Sequence, residues 1–255
     1  MRVYAPAPAA YTTLRQRMWW ALVQLRAARE DALAERERRR LQQRLWQAML
    51  GPVKRFAWRR LWLAVQKQDD PIDQAALELA AQMMVNVEPI VRGGWTTAIL
   101  RTLYELRPGG ITPLTAAPEL ADAVEVQFGM QIKGIEETLR QELARLMLQT
   151  MEESKTFEEF ARRIRQRWAE ASRQRARMIA VTEYNRAASY AKAWTYLREP
   201  GITHKQWVTV RDPKVCATCI ANEAAGPILK DSDFPSGDAH PPAHPRCRCN
   251  MVSAL

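Results

Sequence analysis

All four cysteines of this 255-residue chain fall within its last forty residues, at 216, 219, 247 and 249. The first pair forms Cys216-Ala217-Thr218-Cys219, and the second closes the segment His244-Pro245-Arg246-Cys247-Arg248-Cys249. A disulfide scaffold spreads its cysteines through a small secreted chain, whereas tight clustering in a chain of this size points to a metal site. A Cys-x-x-Cys turn brings two sulfurs close together beside backbone N–H groups that stabilise thiolates, which suits two corners of a Zn²⁺ tetrahedron. The closing segment offers three further donors. If 247–249 is extended, Cys247 and Cys249 point to one face and both reach the metal; if the chain turns at Pro245, His244 joins one of them. Four cysteines, or three and a histidine, both satisfy the spacing, with His240 a weaker candidate. A disulfide or free thiols are the alternatives to zinc.

The physical case for a structural ion is the poverty of the tail. The last fifty residues hold few large apolar side chains, and a segment rich in Pro, Asp and Gly needs a staple. Catalytic zinc keeps an open position and a nearby base, while sulfur-rich ligation favours a closed site. The deaminase pattern His-x-Glu…Pro-Cys-x-x-Cys is absent, because Cys216 follows Val215. A ββα nuclease finger needs a helix after its strands, and the six residues after Cys249 are too few. No catalytic residue is expected.

Ahead of the tail, the periodicity is helical. Residues 11–49 repeat Leu14, Met18, Leu22, Leu25, Leu33, Leu41, Leu45 and Met49 at helical spacing. Gly51-Pro52 reads as a stop, followed by a second basic helix over 53–67 carrying Trp58 and Trp62. Pro71 opens the next helix, read over 73–87 and 95–105 with an interruption at Gly93-Gly94. Residues 107–118, with four prolines and glycines from Pro108 to Pro113 and another proline at 118, form the best linker candidate. A long helix follows over 119–153, then Thr156-Phe157-Glu158-Glu159 has capping-box form, and another helix spans about 172–198. Alternation over 205–211 predicts a strand, with shorter strands near 227–230 and 249–252. The fold class expected is mainly α with a small α+β C-terminal domain: a basic helical arm at 1–70, a helical connector at 71–129, and a domain at 130–255. No apolar run approaches the ~20 residues that cross a bilayer, and the start lacks the order of a secretory signal, so a soluble, non-exported protein without a membrane partner is expected.

The charge is localised. Residues 1–70 carry 15 Lys and Arg against 6 Asp and Glu, while residues 71–150 carry 6 against 10. Arg36, Arg38, Arg39, Arg40 and Arg44, then Lys54, Arg55, Arg59 and Arg60, lie on two consecutive predicted helices. Arginine forks suit phosphates or an acidic protein surface, and a solvated face laced with pairs such as Glu35 and Arg39 is the plain alternative. Trp46, Trp58 and Trp62 at helical spacing suit packing better than base stacking.

On the helix before the tail, Ala176, Ile179, Ala180, Glu183, Ala187, Tyr190, Ala191 and Trp194 share one stripe. A carboxylate there is costly unless paired, so Glu183 is expected to receive an arginine or backbone donors, with the tail packed on this helix as one source; a rotated helix would instead leave it solvated. Ile179-Ala180-x-Thr182-Glu183, the Gly201-Ile202 turn, Lys205-x-Trp207, Asp212, Cys216-x-x-Cys219 and Pro241-Pro242-x-His244-Pro245-x-Cys247-Arg248-Cys249 appear in an order that resembles the phage Mu F-like minor head protein family, also called the phage head morphogenesis domain. The resemblance covers residues 130–252. It implies a structural, non-enzymatic, low-copy head (capsid) protein of a tailed phage, located in the virion near the portal and acting in head morphogenesis, DNA packaging or delivery. The partners it implies are portal protein, packaged double-stranded DNA, and scaffold or capsid proteins. Thr182 and Glu183 match the family's helix motif, and Cys216, Cys219, His244, Cys247 and Cys249 match its tail. The rival reading is a zinc-containing DNA-binding regulator.

Overall fold

Leu, Ala, Gln, Glu and Arg dominate the first two hundred residues, and unbranched side chains lose little rotamer freedom in a helix. The computed structural model describes residues 14–66, 71–106 and 113–254. Five helices come first: α1 (Leu14–Arg55), α2 (Trp58–Gln66), α3 (Ile72–Leu106), α4 (Pro113–Glu153) and α5 (Phe157–Arg198). They are followed by β1 (His204–Val208), α6 (Ala217–Ala224), β2 (Pro227–Leu229) and β3 (Asn250–Ala254). The fold is mainly helical, with one small antiparallel sheet at the C-terminal end of the described chain.

Three breaks expected from local residue types are overridden. α1 passes through Gly51 and Pro52 and stops only at Arg55. An internal proline costs about 3 kcal/mol of helix, yet Pro52 and Val53 are both buried, and their packing outweighs it. α3 runs unbroken through Gly93 and Gly94, between the buried Val91 and Trp95. The helices read separately at 156 and 172 are one, α5, opened by the expected box: Glu159 N–H donates to Thr156 Oγ1 at 3.2 Å, and Glu159 Oε2 accepts from Lys155 N–H at 3.1 Å. Of the linker candidate at 107–118, residues 107–112 lie outside the described residues, and the rest, with Pro113 and Pro118, already belongs to α4.

The chain divides into two compact units, each discontinuous in sequence. One comprises Met1–Arg39, Gly94–Leu120 and Val181–Leu255, the other Arg40–Gly93 and Ala121–Ala180. The second unit is an all-helical core. Leu45, Met49, Leu79, Met83, Leu139, Phe160 and Trp168 are fully buried there. Three of its tryptophans are packing residues with satisfied indoles: Trp168 donates to Met49 O at 3.0 Å, Trp58 to Val53 O at 2.8 Å and Trp46 to Ala169 O at 3.3 Å. Trp62 lies 5.4 Å from Phe160 between ring centroids, and the Arg173 guanidinium covers Trp46 at 4.6 Å. These rings are engaged by the protein itself and are not a platform for bases.

The first unit contains the sheet, in the order β2-β1-β3. β1 is the centre: His204 pairs with Leu229 on β2 and with Ala254 on β3, and Trp207 pairs with Met251. Around it sits a small core of Tyr196, Trp207, Cys219, Phe234, Cys247, Cys249 and Met251. Trp207 meets Phe234 edge-on at 5.0 Å. Three of those seven residues are cysteines, so sulfur occupies the space that Leu or Ile would fill in a larger domain.

Candidate metal centre

The first cysteine pair is set by a helix that the sequence reading missed. Between the strands expected at 205–211 and near 227–230 no helix is predicted, but residues 217–224 form α6 with Cys216 as its N-cap. Cys216 has extended backbone angles (φ −79°, ψ 163°), and its Sγ accepts from the Cys219 N–H at 3.5 Å. That contact, at a helix N-terminus, holds the Cys216 thiol below its usual range. The far side of α6 is tied down by Glu223, which accepts from the Thr209 N–H and hydroxyl at 3.2 and 2.7 Å and pairs with Arg211. A Thr-Arg pair after the strand and a Glu seven residues beyond Cys216 were the available signals, visible only once the helix is known.

The second set of donors is set by a turn. Cys247 N–H donates to His244 O at 3.1 Å, Pro245 occupies the second position, and Arg246 has φ +66° at the third. This is the pattern of a type II turn with arginine where glycine is usual, a choice costing on the order of 1 kcal/mol. The strained residue is pinned to α5: the Arg246 N–H donates to Thr182 Oγ1 at 2.9 Å, and Asn185 Nδ2 donates to Cys247 O at 2.8 Å. Arg248 reaches back to the loop before Cys216, placing its guanidinium on Asp212 at 2.6 Å. Asp212 in turn accepts from the Lys214 N–H at 3.0 Å. Thr182, Asn185 and Asp212 therefore position the donors without supplying any.

Five donor atoms converge as a result. Cys216, Cys219 and His244 form one group, and Cys219, Cys247 and Cys249 another, each with all atoms within 4.8 Å. Cys219 belongs to both. The edges are 3.1 Å from Cys216 Sγ to His244 Nε2, 3.4 Å from Cys219 Sγ to the same nitrogen, and 3.7 Å from Cys219 Sγ to Cys247 Sγ. A tetrahedron with Zn–N of about 2.0 Å and Zn–S of about 2.3 Å has N–S and S–S edges of about 3.5–3.8 Å, so these donors stand close to coordination distances. His244 Nδ1 lies 2.8 Å from Pro245 O; donating its proton there leaves Nε2 as a lone pair aimed at the sulfurs. His240 stands outside both groups, edge-on to Tyr190 at 6.0 Å.

The electrostatics fit a cation. Burial and the neighbouring Cys247 charge push the Cys219 thiol up to about 12, whereas the Cys249 thiol, by donating to Cys247, lowers the latter to about 6. Cys249 itself is pushed up, first by that bond and then by burial. Packed sulfurs thus resist ionising together, and a divalent ion removes the conflict by neutralising them. The residues present fit a thiolate-rich metal site.

Residues 141–252, somewhat under half of the chain, match the family described as Phage Mu protein F like protein. The chain carries a Mu F-like domain. No curated protein and no solved structure shows a significant match. The match covers the end of α4, all of α5 and the tail, and so includes every donor above. Because that family comprises structural phage head proteins, the match supports a head morphogenesis protein in general terms and a place in the virion.

In the Mu F-like helix motif Glu183 is buried and has an arginine beside it, as expected, but from its own helix and not from the tail: it forms an ion pair with Arg186 at 3.7 Å and accepts a hydrogen bond from the Trp95 indole N–H at 3.2 Å. Burial pushes its carboxyl above the usual range, against the pull of Arg186 and Trp95. The tail instead meets this helix through Thr182, one residue earlier. Trp207 is fully buried in the sheet core. On the basic helices, Arg36, Arg39, Arg40, Arg44, Lys54, Arg55, Arg59 and Arg60 are exposed. Arg38 departs from that face: it is buried, with Nη1 donating to Asn185 Oδ1 at 2.9 Å and Nη2 pairing with Glu35 at 3.2 Å. No described helix is long and apolar enough to cross a membrane.

Proposed function

We propose that this Mu F-like protein is a structural, non-enzymatic minor head component of a tailed phage, and that Zn²⁺ staples its tail. The observation that carries the reading is the convergence of five Cys and His donors inside the matched segment, in a core otherwise too small to hold a sheet. Bound there, zinc would supply cross-linking and no chemistry. Cys216 and Cys219 would hold it together with two of His244, Cys247 and Cys249. Thr182 and Asn185 orient the closing turn, and Asp212 orients Arg248 between its last two donors.

The partner in this proposal is the portal, near which the protein would sit inside the head and act in packaging or delivery of double-stranded DNA, alongside scaffold and capsid proteins. What supports it is the exposure of Arg36, Arg39, Arg40 and Arg44 on α1 and of Arg55, Arg59 and Arg60 further along, side chains that suit an acidic ring or a phosphate backbone. Co-expression with the portal protein tests this. Co-purification should be lost on reversing Arg36, Arg39, Arg40 and Arg44 to Glu, with metal content unchanged. Equal recovery by wild type and variant would refute the role of that face. Sequence-selective binding to one DNA site, with no portal association, would instead support the regulatory reading.

A further inference from the structure

The helical unit carries an open groove of about 520 Å³ between α1 and α3. Its α1 wall is one helix face running from Gln43 to Arg55, a length of about 18 Å at 1.5 Å per residue. Asn86 and Ile90 close it from α3. The floor is small and apolar: Pro52 is buried, and Ala48, Gly51 and Ile90 are half-buried. Arg44 and Arg55, both exposed, lie on the α1 wall with their backbones about 16 Å apart.

The charge on this groove is uncompensated within the described chain. From Arg38 to Gln68 the sequence contains no acidic residue. Neither arginine therefore has a carboxylate one helical turn away, unlike Arg38 and Arg39, which share Glu35. Neither has an ion pair or hydrogen bond among the described residues, and no described carboxylate lines the groove. The Arg55 guanidinium folds back over Gly51, 3.5 Å from where a Cβ would stand, so this cation belongs to the groove rather than to bulk solvent. Pro52 has no N–H for the carbonyl of Ala48, four residues back, which leaves the wall an acceptor without its usual helical donor.

An apolar floor more than three turns long, edged by unpaired cations, is the complement of a helix with apolar residues on one face and carboxylates beside them. A phosphodiester strand would meet the arginines and leave the floor uncovered. We propose that this groove docks an acidic amphipathic helix of a partner protein. The proposal uses the groove alone and needs neither zinc nor the portal.

The test is fluorescence anisotropy of a labelled peptide of about five helical turns, with leucine and alanine on one face and glutamate beside it, titrated with the full chain. Saturable binding is expected near physiological salt, and none for a peptide of the same composition in scrambled order. Arg44→Glu combined with Arg55→Glu should weaken binding about tenfold or more. Ala48→Phe, which fills the floor at unchanged charge, should do the same. Arg59→Glu combined with Arg60→Glu, the same change of charge off the groove wall, should stay within about twofold of wild type. Thermal melts establish that the variants fold, and if Ala48→Phe does not, Gln47→Trp, at an exposed position on the wall, decides. No saturable binding, equal binding of the scrambled peptide, or equal loss in the two charge-reversed variants would overturn the proposal. So would a DNA duplex that displaces the peptide and itself loses affinity in Ala48→Phe, an outcome that gives the groove to a phosphate backbone.

Discussion

The all-helical unit and the sheet core solve the same problem with different materials. In the helical unit, Trp168, Phe160, Leu79 and Met83 are wholly inside, and the indole protons of Trp58 and Trp168 end on backbone oxygens. Apolar area and satisfied polar atoms are enough there. In the sheet core, a five-residue strand, a three-residue strand and another five-residue strand surround a cluster in which cysteines hold three of seven places. Free thiols are small and resist shared ionisation, so that core has less apolar packing than the helical unit. A large core tolerates the loss of any one contact; in the proposed reading, the small one concentrates its stability in the metal centre.

The contrast can be broken from the sheet side first. Cys219→Ser removes the sulfur common to both donor groups, so bound zinc should fall from one equivalent to near none and the tail should lose its fixed structure. Structural zinc contributes on the order of 10 kcal/mol in small domains. Elemental analysis with near-ultraviolet circular dichroism would read both effects, and zinc retained at full occupancy would dismiss the assignment. Each of His244→Ala, Cys247→Ser and Cys249→Ser should cost less, and the one that preserves stoichiometric metal identifies the donor left out.

Trp168→Ala attacks the helical unit instead. It should cost about 3–5 kcal/mol through the cavity it opens, while zinc content stays at wild-type level. Loss of metal in that variant would show that the two cores are not independent in stability.

Glu183 offers a smaller and pH-dependent effect. Its folded-state carboxyl lies above the ordinary range, so the folded chain binds more protons than the unfolded one and stability falls as pH rises past the ordinary glutamate range. Glu183→Gln keeps an acceptor for the Trp95 indole and should flatten that part of the stability profile in denaturant titrations. An unchanged slope would contradict the burial of an ionisable group at this position. The smallest effect is at the closing turn: Arg246→Gly should relieve left-handed strain and raise stability by about 1 kcal/mol, with metal affinity unchanged. A lower melting temperature in that variant would show that the Arg246 side chain has a role of its own.

The helical periodicity, the capping box at Thr156 and the five donors were legible from residue order, as was a strand, expected over 205–211 and found over 204–208. The extent of the helices was not. Gly51-Pro52 and Gly93-Gly94 are local breakers whose penalties of a few kcal/mol yield to burial of Val53, Val91 and Trp95, a quantity that residue order does not contain. α6 was hidden because eight residues carry too short a period to register, and its N-cap is a cysteine, outside the usual capping set.

At the site, residue types and spacing determined the chemistry: soft thiols and an imidazole in two close clusters suit one class of ion. Which groups meet was decided in three dimensions. Glu183 faces Trp95 from α3, eighty-eight positions away, and Arg38 left the basic face for Asn185. The reason is physical: ligand chemistry is a property of side chains, whereas the partner of a buried charge depends on which distant segment packing brings within hydrogen-bond reach.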